Sequence, residues 1–483
     1  MELSEFFSCI LYTEVSESWT IPSLPRKMHA VRVTKNHGPN LLRPSPNQPA
    51  QEGKNGYQGH KIHPSEIRRN MNPRSRSEGV SFAILLMGAS ILGTPLAAQA
   101  AVNGSIAEVA KGNTAFAVEL YQRERAKGRN LFFSPYSLST ALAMTYAGAR
   151  GQTEQEMARV LHFGLPQAEL HPAFGLLARR MEQIGSSNQV SLSVANSLWC
   201  QRTYRLAAPF LKLNLDYYGA EARLVDFAGS SEAARQEINS WIARKTQDKI
   251  PELLQPGQLS PDTRLALCNA VYFKGKWASP FAPEATRSQP FFTAPDQKVE
   301  IPLMSQSLKL RSREFSDFSI FMLPYTGSDL SMVILLPKAV DGLDALEQRL
   351  DAANLQEWLA ALDGAGEARA EVFLPRFKSN CRLDLAKELA GMGMPSAFTH
   401  SADFTGMTGA RDLFIGDVVH QAVVDVNEEG TEAAAATAVG MRATSIMRTA
   451  VFRVDHPFVF VIRENQTGAI LFLGRVADPS KPS

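Results

Sequence analysis

Between Val424 and Phe460 the chain carries a stretch whose chemistry lies in its backbone. Glu428, Glu429, Gly430, Thr431 and Glu432 come first, followed by Ala433, Ala434, Ala435, Ala436 and then Thr437-Ala438-Val439. From Ala433 to Val439 there is no charge, no proline and no bulky side chain. Such a segment can slide between two existing strands without a clash and without burying a charge. Alanine has almost no side-chain entropy to lose on ordering, and Gly430 permits the backbone angles of a pivot. A sheet edge or gap with unpaired donors and acceptors would be the template. A helix is the competing reading of the alanines, although two isolated turns are marginal in water. As a connection between two strand-like runs the stretch exceeds the roughly 12–15 residues above which loops are usually functional or disordered.

Side-chain catalysis finds little support elsewhere. The sequence has no Gly-x-Ser-x-Gly elbow, His-Glu-x-x-His, P-loop or Gly-x-Gly-x-x-Gly. The nine histidines show no ligand spacing. His29, His37, His60 and His63 fall near the N-terminus, and His456 beside Pro457 reads as structural. The four cysteines, Cys9, Cys200, Cys268 and Cys381, form neither a metal pattern nor a disulfide framework, and the last three read as buried thiols. No metal and no cofactor are expected. A net charge of +2 with 20% charged and 45% hydrophobic residues describes an ordinary soluble chain, not a nucleic-acid-binding surface.

The elements that must hold the stretch in place mix helix and strand. Residues 1–70 are rich in Pro, Asn, Gln, His and basic residues and read as a disordered extension. Residues 71–100 read as a secretory signal peptide, with Arg74 and Arg76, an apolar run from Val80 to Leu92 and a closing Ala98-Gln99-Ala100. A signal must be N-terminal, so Met71 is the expected start and 1–70 upstream sequence; the folded unit is then 101–483. Within it, Ser105 to Ala126 has a helical period. Ser134 and Pro135 are placed as N-cap and first residue of a helix, and Thr153 with Glu156 spells a capping box for the next. Strands are expected over Gln189–Gln201, Thr263–Trp277, Phe318–Lys338, Ala370–Lys378, Leu413–Glu428 and Val451–Val476, with helices over Glu232–Leu254 and Leu383–Met394. Neither alternating nor segregated, these predict an α+β fold with large mixed sheets.

Several motifs in order resemble the serpin family across residues 105–478. They are NLFFSPYSLSTALAMTYAGARGQTEQEM, VANSLWCQ, NAVYFKGKWASPF from Asn269 to Phe281, LPRF, GMGMPSAF, ADFTGM, VVHQAVVDVNEEGTEAAAATA and FRVDHPFVFVI. The resemblance implies three β-sheets, about eight or nine helices and an exposed reactive-centre loop. It implies a monomeric suicide-substrate inhibitor of serine endopeptidases, not an enzyme: the loop is cleaved, the protease is held as an acyl-enzyme, and the freed loop inserts into the main sheet. Glu428 to Ala436 match the hinge of inhibitory members. Ser134, Pro135, Asn269 and His420 match the shutter beneath the sheet, and Trp277 the breach where the loop first enters, with plain core packing as its other reading.

Counting from Gly430 places the scissile bond at Thr444-Ser445, which implies an elastase-like or subtilisin-like target. Counting back from the C-terminal signature gives Ile446-Met447. Arg442 and Arg448 bracket the site and leave a trypsin-like or cysteine protease open. A non-inhibitory carrier or chaperone on the same fold is the other alternative. The signal segment and the lack of disulfides imply a secreted or periplasmic protein, bacterial in source, with no membrane contact after signal cleavage.

Overall fold

The computed structural model describes residues 94–186, 190–220, 222–431 and 449–481. The chain divides into Met1–Gly79 and Val80–Ser483, and every described residue lies in the second unit. The extension 1–70, the signal-like segment up to residue 93, and Glu432, Ala433, Ala434, Ala435, Ala436, Arg442, Thr444, Ser445, Ile446, Met447 and Arg448 lie outside the described residues.

Ten α-helices occur among the described residues: α1 (Thr94–Glu124), α2 (Pro135–Tyr146), α3 (Gly151–Val160), α4 (Gln167–Gly185), α5 (Ala208–Tyr218), α6 (Phe227–Lys245), α7 (Leu343–Gln348), α8 (Ala352–Asp363), α9 (Ala386–Met392) and α10 (Thr405–Thr408). The helix expected over Ser105–Ala126 starts earlier, so α1 runs through Ala98-Gln99-Ala100 without a break. Helix α2 starts as its sequence predicts: Ser134 is extended and its side chain accepts from the Ser137 N–H, with Pro135 first in the helix. The capping box does not form. Arg150 precedes α3, and Glu156 bonds the Ser396 N–H and hydroxyl while Thr153 accepts from the Asp403 N–H. Tertiary partners for both side chains outweigh the local reciprocal pair.

Fifteen strands occur among the described residues: β1 (Leu131–Phe133), β2 (Val190–Gln201), β3 (Ala222–Val225), β4 (Leu265–Lys276), β5 (Arg287–Ala294), β6 (Gln297–Glu314), β7 (Phe318–Pro324), β8 (Leu330–Pro337), β9 (Glu367–Pro375), β10 (Phe377–Asp384), β11 (Asp417–Asn427), β12 (Gly430–Thr431), β13 (Ala450–Arg453), β14 (Phe458–Glu464) and β15 (Ile470–Val476). Three sheets are expected; hydrogen bonding runs two of them together into one nine-stranded network. The long strand β6 does this, pairing with β5 and β9 along most of its length and with β7 over Ser312–Glu314.

The other sheet has six strands in the order β10-β11-β12-β4-β2-β3. Strand β4 is apolar on both faces because both are covered. Leu265, Leu267, Val271 and Phe273 join the main core, and Ala266, Cys268 and Ala270 join a second cluster built on α6 with Trp241, Ile238 and Ile242. A strand sandwiched this way cannot show polar alternation. Helix α2, buried along its whole length, underlies the sheet from the main-core side.

Candidate functional site

Strand β12 is only two residues long, yet it occupies the top of the gap between β4 and β11. Gly430 and Thr431 pair antiparallel with Lys276 and Gly275 on one side, and with Asn427 and Val426 on the other. Both are buried. Gly430 has φ +148, and a Cβ there would lie 2.0 Å from the Gly275 carbonyl oxygen. Only glycine fits, for close approach and backbone angle together. Thr431 is fully buried and its hydroxyl meets the Tyr325 hydroxyl at 3.2 Å. Thus the hinge residues Gly430 and Thr431, expected in an exposed loop, are already part of the sheet.

Two further contacts fix the approach. Trp277 stacks on Tyr325 with centroids 4.7 Å apart, its indole N–H donates to the Asn427 carbonyl at 3.0 Å, and its backbone N–H donates to the Glu429 carbonyl at 2.8 Å. Trp277 is thus packed in the core and bonded to the backbone at Asn427 and Glu429 at once. Glu428 is 5% exposed and takes both a bidentate Arg376 guanidinium and the Thr286 hydroxyl. Burial works to raise this carboxyl; the Arg376 and Thr286 bonds outweigh it and hold it below the usual carboxylate range.

Below β12 the two strands meet directly. Asp417 to Val423 of β11 pair in parallel with Ala266 to Tyr272 of β4, with no strand between. Beneath this seam lies a buried polar cluster. The Ser134 N–H donates to His420 Nε2 at 3.1 Å, so the ring proton sits on Nδ1 and donates to Asn269 Oδ1. Asn269 Nδ2 donates to Ser137 Oγ and to Asn196 Oδ1, and Ser137 Oγ donates to Asn196 at 3.0 Å. Ser134 Oγ donates to the Leu471 carbonyl at 2.6 Å. One network therefore ties α2, β2, β4, β11 and β15. His420 is fully buried, and desolvation pushes its pKa down to about 3, which keeps it neutral.

Ser134, Asn269 and His420 thus meet in one cluster, with Pro135 opening the helix that carries it. Glu428, Glu429, Gly430, Thr431 and Trp277 meet in a second at the top of the sheet. The expected scissile residues Thr444 and Ser445 lie outside the described residues. Sequence reasoning missed Tyr325, Arg376 and Thr286 in the upper cluster, and Ser137 and Asn196 in the lower. Ser137 and Asn196 sat within quoted motifs, SPYS and VANSLW, and were readable as polar residues in apolar runs. Tyr325 looked like part of an ordinary turn.

A family model described as Serpin (serine protease inhibitor) matches residues 111–479. The leukocyte elastase inhibitor of Sus scrofa is 42% identical over 380 residues, covering 77% of this chain and 100% of that protein. The human leukocyte elastase inhibitor is 40% identical over 381 residues, again across 77% and 100%. Among solved structures, uncleaved ovalbumin superposes with a TM-score of 0.70 at 30% identity, covering 77% of this chain and all of the other. These relatives give no support to the expected bacterial source. The match along residues 111–479, together with the shared fold, establishes that the chain belongs to the serpin family of serine protease inhibitors.

Proposed function

We propose that the chain inhibits serine endopeptidases by the suicide-substrate route, with the segment after Thr431 as bait and spring. The carrying observation is β12, a strand begun but not finished, docked above a directly paired parallel seam. The protease serine attacks the Thr444 carbonyl carbon, an ester forms, and the Ser445 nitrogen leaves as an amine. The freed segment then extends β12 downward. Its antiparallel register with β4 sets Met441 opposite Leu265 at the foot of that strand. At about 3.3 Å per residue the new strand spans ~36 Å. Thr444, three residues further on, carries the ester-linked protease past the far end of the sheet. Such a native state is held kinetically.

The small Thr444 favours an elastase-like or subtilisin-like target, in keeping with the names of the two inhibitors compared above. Incubation with elastase-like, subtilisin-like and trypsin-like proteases tests both parts. An SDS-stable complex with release of the 39-residue Ser445–Ser483 peptide is expected. A peptide beginning at Ala443 would move the site to Arg442. Cleavage without any covalent complex would overturn the inhibitor reading in favour of a carrier or chaperone. Export follows from the signal-like 71–100 segment in this reading; retention of a chain expressed from Met71 inside the cell, uncleaved, would refute it.

A further inference from the structure

After the segment 432–448 the chain re-enters the described fold at Thr449, and β13 begins one residue later. Strand β13 pairs in parallel with β9, Ala450 beside Ala370 and Val451 beside Glu371. Thr449 therefore stands level with Arg369. Arg369 in turn lies directly opposite Lys309 of β6. Ala370, Val372 and Leu374 face the core, so Glu367, Arg369 and Glu371 face outward, as do Lys309 and Arg313 of β6.

Two like charges directly opposite each other on exposed strands are destabilising. Among the described residues neither Lys309 nor Arg369 forms an ion pair; Arg369 Nε donates to Ser307 Oγ at 3.0 Å. Arg311 and Arg313 add to the patch from fixed positions, donating to the Asp363 and Ala361 carbonyls at the end of α8. Arg453 lies 4.0 Å above the Phe373 ring, and Val451 is 56% exposed beside it. Glu367 and Glu371 offset part of this charge, but basic residues outnumber them.

Four residues, five steps along the chain, separate Thr444 from Thr449, a reach of at most about 17 Å. That is shorter than the ~30 Å diameter of a small domain. A cut at Ile446 or Arg448 shortens the reach further. We infer that this face of β6, β9 and β13 is a second contact surface for the target protease, fitting one whose surface is acidic beside the cleft that holds the residues after the scissile bond. The inference rests on the inhibitor reading above. Such complementarity acts on encounter more than on the final complex.

The test uses the full chain and its Lys309→Glu/Arg369→Glu variant, with Lys212→Glu on α5 as a charge-reversal control. Association rates with the protease panel are measured across salt concentrations, alongside the stoichiometry of inhibition. For the preferred target the double variant should associate about tenfold or more slowly at low salt, with a flatter salt dependence. Stoichiometry and the SDS-stable complex should be unchanged, and Lys212→Glu should behave as wild type. Equal rates and salt slopes for the double variant and wild type would overturn the proposal while leaving the inhibitor reading intact. Absence of a covalent complex from the wild type would overturn both.

Discussion

His420 and Asn269 are register partners on neighbouring parallel strands, and their side chains bond to each other as well. The two strands that would part under the proposed mechanism are thus joined twice, by ladder and by side chain. Parallel ladders are slightly weaker per residue than antiparallel ones, and the side-chain bond adds to what keeps the seam shut.

His420→Ala should therefore release the seam. It removes the acceptor of the Ser134 N–H and leaves Asn269 Oδ1 unpaired, at a cost of about 1–3 kcal/mol. Faster conversion to a loop-inserted or polymeric form on warming is expected, read by native gels over time. An unchanged monomer lifetime would show that the cluster does not guard the seam.

Acid should act through the same ring. The native imidazole titrates at about 3 and its ordinary value is 6.5. Between those values the unfolded chain binds a proton that the native state refuses, so stability falls as pH drops from 6.5 toward 3. The gradient is up to ~1.4 kcal/mol per pH unit. Unfolding measured across this window should show a shallower slope for His420→Gln than for wild type.

Asp417, at the foot of β11, has the opposite sign. Burial first, then the nearby Asp384, raise its pKa from 3.8 to about 6. The native state holds a proton that the unfolded chain has released, so this contribution is present below pH 3.8 and lost as pH rises through 6. Asp417→Asn should stabilise the protein by about 1–2 kcal/mol at pH 7, after allowance for partial exposure, and change little at pH 4. Denaturant midpoints at the two pH values check it.

Gly430→Ala should expel β12, because the added methyl would collide with the Gly275 carbonyl. Trp277, whose backbone and indole both hold the hinge, reports this as a change in fluorescence. The stoichiometry of inhibition should rise, since insertion would have to begin from an undocked loop.

Arg376→Gln should loosen the same region from outside. It leaves the buried Glu428 carboxylate with Thr286 as its side-chain partner, a loss of about 1–2 kcal/mol given that Arg376 is half exposed. A lowered thermal midpoint is expected, together with easier incorporation of a synthetic peptide of the Thr431–Val439 sequence.

Much of this was legible in the sequence for stated reasons. Ser134-Pro135 marks a helix start by capping chemistry alone, and the alternating run of β2 marks a strand. What was not legible depends on partners distant in the chain. Glu156 reads as half of a capping box until Ser396, far along the chain, takes its carboxylate. No strand was expected over residues 287–314, where β5 and β6 lie. Leu303 and Met304 are both buried where the β5 pairing of β6 ends and its β9 pairing begins, which breaks the alternation that marks a strand. Arg376 sits in the quoted LPRF motif, but neither it nor Thr286 could be paired with Glu428 without the fold, since both lie far from it in the chain.

The short strand β12 also changes what kind of event follows cleavage. Threading a free segment into a closed sheet would require a nucleus: two residues fixed, a pivot set and the strands prised apart before any ladder bond is returned. Here that nucleus exists before the protease arrives. Under the proposed mechanism, cleavage would remove a tether from a zipper already started, and each further rung would return its bonds as it forms. In the proposed mechanism the race between trapping and hydrolysis of the ester would then depend on how fast the seam below Thr431 unzips.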